Sequence, residues 1–272
     1  MAYEMIKTEV VGRVGVITHN RPEKLNALHP VMTRERQEQM EAWNEDPAIG
    51  AIVVTGAGRS FCAGADVGGW KRDLVDPKER APQSPPSSDD DSPRQDPGGW
   101  TRFCMQSKPL IAAINGHSIG AGLTTILPFD VRIASQSARL SMRFIRMGIF
   151  PELGSTHILP HIVGMGHAME LMLTGRIIDA EEAARIGLVN RVVPDDQLMD
   201  KAMEVAAEIA FNPSEQVMGV KEVTWQNLDQ DELSEVQRLE GRWLRKATSG
   251  KAFREAVNAF MDKRQPDFHA DT

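Results

Sequence analysis

Two glycine-rich runs hold the residues best suited to chemistry. Ser60-Phe61-Cys62-Ala63-Gly64-Ala65-Asp66-Val67 and Asn115-Gly116-His117-Ser118-Ile119-Gly120-Ala121-Gly122 each follow a short apolar stretch, and each puts Gly and Ala where bulkier side chains would stand. Small residues let a ligand approach the backbone closely, and free N–H groups at a helix start attract negative charge. Two such turns facing each other would form an oxyanion hole. On the pattern alone they also fit two tight turns with no chemistry.

Other motifs fit less well. Gly56-Ala57-Gly58 follows an apolar run as a dinucleotide-binding turn does, but Phe61 stands where the third glycine belongs. No P-loop run exists. Gly116-His117-Ser118-Ile119-Gly120 matches the Gly-x-Ser-x-Gly nucleophile elbow, with Asp130, Asp179, His157, His161 and His167 downstream as triad partners. No Asp-then-His pair is marked out among them, and no oxyanion glycine run lies upstream. Those histidines make a poor metal set, with Pro160 between the first two, and Cys62 and Cys104 lack a neighbouring ligand pair. No metal site is expected.

The elements that must position these residues follow from composition and periodicity. The chain has 272 residues, with 31 Lys+Arg against 38 Asp+Glu and a net charge of −7, which argues against nucleic-acid binding through phosphate contacts. Its 41% hydrophobic and 25% charged residues suit a globular protein. No apolar run reaches the roughly 18 residues of a membrane span, no signal-peptide pattern is visible, and two cysteines build no disulfide framework. The expected location is the cytoplasm, without membrane or nucleic-acid partners.

Ile6–Val10 and Val14–His19 read as a hairpin around Gly12 and Gly15. Pro30 opens a helix that Asp46-Pro47 stops near Glu45, and Ala51–Thr55, Leu110–Ile114 and Asp130–Ala134 read as buried strands. Strands alternating with helices give an α/β core with crossover connections. Residues 71–100 hold six of the 16 prolines and a Ser/Asp run, a composition expected to form a mobile loop. Beyond residue 154 the chain reads as mostly helical. Leu198, Ala202, Val205 and Ile209 share one helical face, and Phe253, Val257, Phe260 and Met261 share another. Core or subunit packing is their expected role.

Together, the two glycine runs, Gly148 to Thr156, Leu173-Thr174-Gly175-Arg176, Ala183 to Val189 and Ala259-Phe260-Met261-Asp262-Lys263-Arg264 resemble the crotonase superfamily over almost the whole chain. The resemblance implies a ββα spiral core (residues 1–195), a helical C-terminal region (196–272) used for trimer formation, a homotrimer or dimer of trimers, and acyl-coenzyme A thioester substrates. Coenzyme A would enter as part of the substrate, with no separate cofactor. By position, the Ala65 and Ala121 N–H groups would hold the thioester carbonyl. Glu23, Lys24, Leu25, Ala63, Gly64, Asp66, Val67, Thr124, Phe144, Phe260 and Lys263 match substrate or coenzyme A contacts. The 71–100 segment corresponds to one that borders the acyl pocket, which implies a substrate-ordered lid with Trp70, Trp100 and Phe103 as its apolar edges.

The resemblance also bears on the reaction. Hydratase members use two glutamates, whose places are taken here by Thr124 and Phe144. Neither side chain is a general base near neutral pH. Pro151-Glu152-Leu153-Gly154 instead puts Glu152 where hydratases usually have glycine, which resembles the Δ3,Δ2-enoyl-CoA isomerase branch. One carboxylate suffices for a 1,3-proton shift. Burial against Phe144 and Leu153 would raise its pKa, and Phe144 and Phe150 imply a dry pocket. The competing role for Glu152 is dipole-favoured placement in a helix's first turn. Rival functions are a hydratase with non-standard acid/base residues, a hydrolase on the same scaffold, and a catalytically silent acyl-CoA-binding subunit.

Overall fold

The chain lays down strands alternately in two sheets. The computed structural model describes residues 3–66, 68 and 99–270. Strands β1 (Ile6–Val11) and β2 (Val14–His19) form the expected hairpin, paired residue for residue from Ile6–His19 to Val11–Val14. Gly12 takes the left-handed conformation at its turn. Helix α1 (Pro30–Glu45) begins on Pro30, with His29 Nδ1 accepting the Val31 N–H, and stops at Asp46. It crosses to β3 (Ala51–Gly56), which pairs with β2 in parallel.

From here each turn of the chain adds one strand to each sheet. After β3 comes β4 (Ser60–Cys62). After helix α2 (Gly99–Gln106) come β5 (Leu110–Ile114) and β6 (His117–Ile119). After the one-turn helix α3 (Ala121–Thr124) come β7 (Val131–Ser135) and β8 (Arg139–Ser141). A 3-10 turn (Arg143–Met147) and the long helix α4 (Ser155–Thr174) lead to β9 (Ile178–Asp179), α5 (Ala180–Arg185) and β10 (Arg191–Val193). The first sheet runs β1-β2-β3-β5-β7-β10 and the second β4-β6-β8-β9. This is the ββα spiral that the motifs implied.

Alternating side chains of the first sheet feed two cores. Ile17, Ile52, Val54, Leu110, Ala112 and Ile114 enter the main one. Val14, Val16, Val53, Ile111 and Ile133 meet Leu198, Ala202, Val205 and Ala206 of helix α6 (Leu198–Phe211), the face expected from spacing. Each fully buried Val, Ile or Leu contributes roughly 1.5–3 kcal/mol. Helix α7 (Ser214–Asn227) is fastened by Lys221, whose Nζ donates to Asp130 Oδ2 at 2.7 Å, while the same oxygen accepts the Leu110 N–H. Helices α8 (Leu233–Ser249) and α9 (Lys251–Met261) leave Leu244, Phe253, Val257, Phe260 and Met261 exposed.

Most of the proline-rich segment, with Val67 and Trp70, lies outside the described residues. Its described end opens α2 and is fixed to the core. Trp100 stacks on Phe103, carries the Arg36 guanidinium 3.9 Å above its ring, and donates Nε1–H to the Thr125 carbonyl at 2.8 Å. No helix among the described residues is long and apolar enough to cross a membrane.

Candidate active site

Ends of β4 and β6 bring the two glycine runs side by side. Gly64, at φ +97°, sits so close to β6 that a Cβ there would lie 2.7 Å from the Ile119 carbonyl oxygen and 3.8 Å from the Ala121 nitrogen. A Cβ on Gly122 would lie 2.2 Å from the Cys62 oxygen. Glycine at both places is what allows the runs to touch. Ala121 is the first residue of α3, so its N–H has no acceptor within the helix. Among the described residues neither Ala65 N–H nor Ala121 N–H finds a hydrogen-bond acceptor.

Both N–H-bearing residues line a cavity of about 460 Å³. Its walls include Leu28, Ala63, Gly64, Ile119, Phe144, Met147, Ile149 and Phe150, and among the described lining residues Arg143 is the one cation and Glu152 the one carboxylate. Phe144 is a buried wall, whereas Phe150 is 78% exposed at the rim. Of the two phenylalanines expected to keep the pocket dry, Phe144 is thus buried against it and Phe150 is largely exposed to solvent.

Glu152 does not lie in a helical turn. It precedes two left-handed residues, Leu153 (φ +57°) and Gly154 (φ +70°), and Gly154 is the N-cap of α4. A left-handed leucine costs about 1–2 kcal/mol, and Thr101 Oγ1 holds it by donating to the Leu153 carbonyl at 2.8 Å. The Ser155 N–H donates to the Glu152 carbonyl at 3.1 Å. The carboxylate faces the cavity, and Thr124 Oγ1 donates to its Oε1 at 2.9 Å. Glu152 keeps solvent exposure, but partial desolvation by the walls raises its pKa above the ordinary carboxylate value, and the Thr124 hydrogen bond partly opposes that rise. Thr124 itself is fully buried and is not among the described cavity-lining residues.

Remaining expected contacts scatter. Leu25 holds the first glycine run, its carbonyl accepting the Ala63 N–H at 3.0 Å, while Glu23 and Lys24 sit exposed on a 3-10 turn (Pro22–Lys24). Asp66 turns its carboxylate to Arg21 at 3.1 Å, which keeps it ionised below the usual range. Phe260 and Lys263 lie at the exposed end of α9 and do not line the cavity within this chain. Sequence reading missed Asn26, which has φ +55° and donates from Nδ2 to the Ala57 and Ser60 carbonyls. It also missed Thr101 and the anchoring of Trp100. An Asn inside an Asn-Ala-Leu turn was the only available signal for the first.

Rival chemistries lose their parts. Ser118 lies within β6, fully buried, with its hydroxyl given to the Gly122 carbonyl at 3.1 Å. Asp130 holds Lys221, Asp179 caps α5 by accepting the Glu182 N–H, and His157 faces Asp229. Burial pushes the Cys62 thiol up to about 11 and Cys104 to about 12, so both stay protonated near neutral pH. Among the described residues no three His, Cys, Asp or Glu side chains gather as a metal cluster.

The enoyl-CoA hydratase/isomerase sequence profile matches residues 9–271. The chain belongs to the enoyl-CoA hydratase/isomerase family. Within that family it is 36% identical to a probable enoyl-CoA hydratase of Rhizobium meliloti, covering 98% of this chain and 99% of the relative. It is 34% identical to the 1,2-epoxyphenylacetyl-CoA isomerase of Escherichia coli K12, covering 97% and 98%. Among solved structures, the enoyl-CoA hydratase of Bacillus anthracis superimposes with a TM-score of 0.84 at 31% identity, covering 98% of this chain and all of that one. Relatives of both names, hydratase and isomerase, thus match nearly the whole of this chain.

Proposed function

We propose that this family member is an enoyl-CoA isomerase, moving a double bond along an acyl-CoA thioester with Glu152 as its single acid/base. The observation that carries the reading is the carboxylate inventory. Glu152 is the only carboxylate among the described cavity-lining residues, and by the family resemblance Thr124 and Phe144 stand at the two hydratase glutamate places. The thioester oxygen sits between the Ala65 and Ala121 N–H groups. Glu152 takes a proton from C2, the electron pair moves onto the thioester oxygen as a dienolate, and the same proton returns at C4. No water is activated, so one base is enough, and a raised pKa suits a group that must both take and give a proton. Coenzyme A is part of the substrate, and the Glu23–Leu25 ridge flanks its approach. The apolar faces left exposed on α8 and α9 fit a trimeric assembly.

Hydration at the same site is the second reading, favoured by the hydratase names of most of the similar relatives. It requires Glu152 to activate water alone. The test is turnover of 3-enoyl-CoA and of 2-enoyl-CoA by the wild type and by Glu152→Gln. The expected outcome is a shift of the 3-enoyl double bond that falls about 10²–10⁴-fold in the variant, the span of a lost general base. Water addition with no double-bond shift would hand the site to the second reading, and undiminished turnover by Glu152→Gln ends the base assignment.

A further inference from the structure

The isomerase reading leaves open which oxygen of Glu152 carries the proton and what keeps that oxygen aimed at both carbons. The main chain at Glu152 is held on both sides, by Thr101 on the Leu153 carbonyl and by Ser155 N–H on its own carbonyl. Among the described residues the carboxyl group makes one hydrogen bond, from Thr124 Oγ1 to Oε1 at 2.9 Å, and Oε2 has no hydrogen-bond partner. We propose that Thr124 is a positioning residue that ties down Oε1, leaving Oε2 as the atom that ferries the proton from C2 to C4.

Several features fit Thr124 to this work. A hydroxyl has one proton to give, and two acceptors are in reach: the Ala121 carbonyl at 3.4 Å and Glu152 Oε1 at 2.9 Å. The shorter bond to the charged acceptor is the stronger, and the Ala121 carbonyl already accepts the Thr125 N–H. The side chain is fully buried, so water does not compete for it, and its branched Cβ restricts χ1. Thr124 also ends the single helical turn that Ala121 begins, so one rigid element carries both an oxyanion donor and the tether of the base. The tether survives proton transfer, since Oε1 still accepts, more weakly, as the carbonyl oxygen of the protonated acid. The step balances: the C2–H bond breaks and Oε2–H forms, then Oε2–H breaks and C4–H forms with the dienolate electron pair.

This inference rests on the isomerase reading, and the two fail differently. Thr124→Val keeps the shape and removes the donor, while Thr124→Ser restores it. In Thr124→Val, kcat is expected to fall about tenfold with KM little changed, the mark of an interaction that matters in the transition state. The acid limb of kcat/KM is expected to move upward by about one pH unit, because the donor favours the ionised carboxylate. With 3-enoyl-CoA deuterated at C2, the fraction of label delivered to C4 is expected to drop, since an untethered carboxyl rotates and exchanges with solvent. Thr124→Ser is expected to recover all three. An acid limb and label transfer unchanged in Thr124→Val overturn the tether even where turnover falls. If the wild type shifts no double bond, the isomerase reading and the ferrying role go together. Infrared titration of the Glu152 carboxyl, with Glu152→Gln as the blank, then still judges the hydrogen bond: an unshifted band in Thr124→Val overturns it.

Discussion

The two walls of the cavity are built on opposite principles. The oxyanion wall is backbone: N–H groups of alanines, placed by glycines so tightly packed that a single Cβ collides with the neighbouring run. The carboxylate wall is side chain: one glutamate on a left-handed turn, held by a threonine from the floor and another from α2. Gly148, on the carboxylate side, would place an added Cβ in open space, although its φ is also positive. Under the proposed function, a backbone wall stabilises one kind of charge, the thioester enolate, for any reaction that makes it. Under the same reading, the side-chain wall decides where protons go, and hence which reaction follows.

The sharpest way to break this contrast is to remove one backbone donor while keeping the helix. Ala121 is the first residue of α3, where proline is tolerated because that N–H has no helical partner. Gly120 before it lies outside the α region, which suits a pre-proline position. Ala121→Pro is expected to lower kcat about 10²–10³-fold, the loss found for one oxyanion donor, with the melting temperature nearly unchanged. Full activity in a folded Ala121→Pro protein would falsify the oxyanion role of this wall.

A smaller effect separates the walls by packing. Gly64→Ala adds a Cβ against the Ile119 oxygen at a strained φ of +97°, and is expected to destabilise by about 2–4 kcal/mol. Gly148→Ala meets no atoms and carries only the cost of its left-handed backbone, about 1–2 kcal/mol. Denaturant unfolding of both proteins measures the gap. Equal losses would mean that the oxyanion wall is no more tightly fitted than the loop opposite.

The same division explains what the sequence disclosed. The long strands, the hairpin and the α6 face were legible because five or six residues of apolar periodicity outweigh local noise. So was the oxyanion wall, since glycine and alanine mark close approach directly. The second sheet was harder: β4, β6 and β8 are three residues each, too short for periodicity, and exist because the longer strands bring them together. Glu152 drew notice through the motif around it, but its setting did not. That it stands ahead of the α4 cap, and that Thr124 grips it across 28 residues of chain, are tertiary facts. Thr124 shows the cost of reading by position alone. Counted as a substrate contact, it turns out to hydrogen-bond the Glu152 carboxylate. Trp100 and Thr101 border the proline-rich segment, and nothing local marks them as anchors of the site.

The smallest effect concerns the carboxylate wall alone. Desolvation raises the Glu152 pKa, so the folded protein holds this proton more tightly than the unfolded chain does. Stability from this group is therefore full below the ordinary carboxylate pKa, falls as pH rises toward the raised value, and stays low above it. A neutral amide carries no such charge and still accepts the Thr124 hydroxyl at its carbonyl oxygen. Glu152→Gln is thus expected to match the wild type in acid and to melt slightly higher near neutral pH, the gap opening across that window. Ala121→Pro, which alters no titrating group, is expected to show a gap independent of pH. Thermal melts of the three proteins over the acid range test both claims. A wild type that outlasts Glu152→Gln at neutral pH would mean that the carboxylate is better solvated or better paired than its walls allow. The side-chain wall would then lose the strain that sets it apart from the backbone wall facing it.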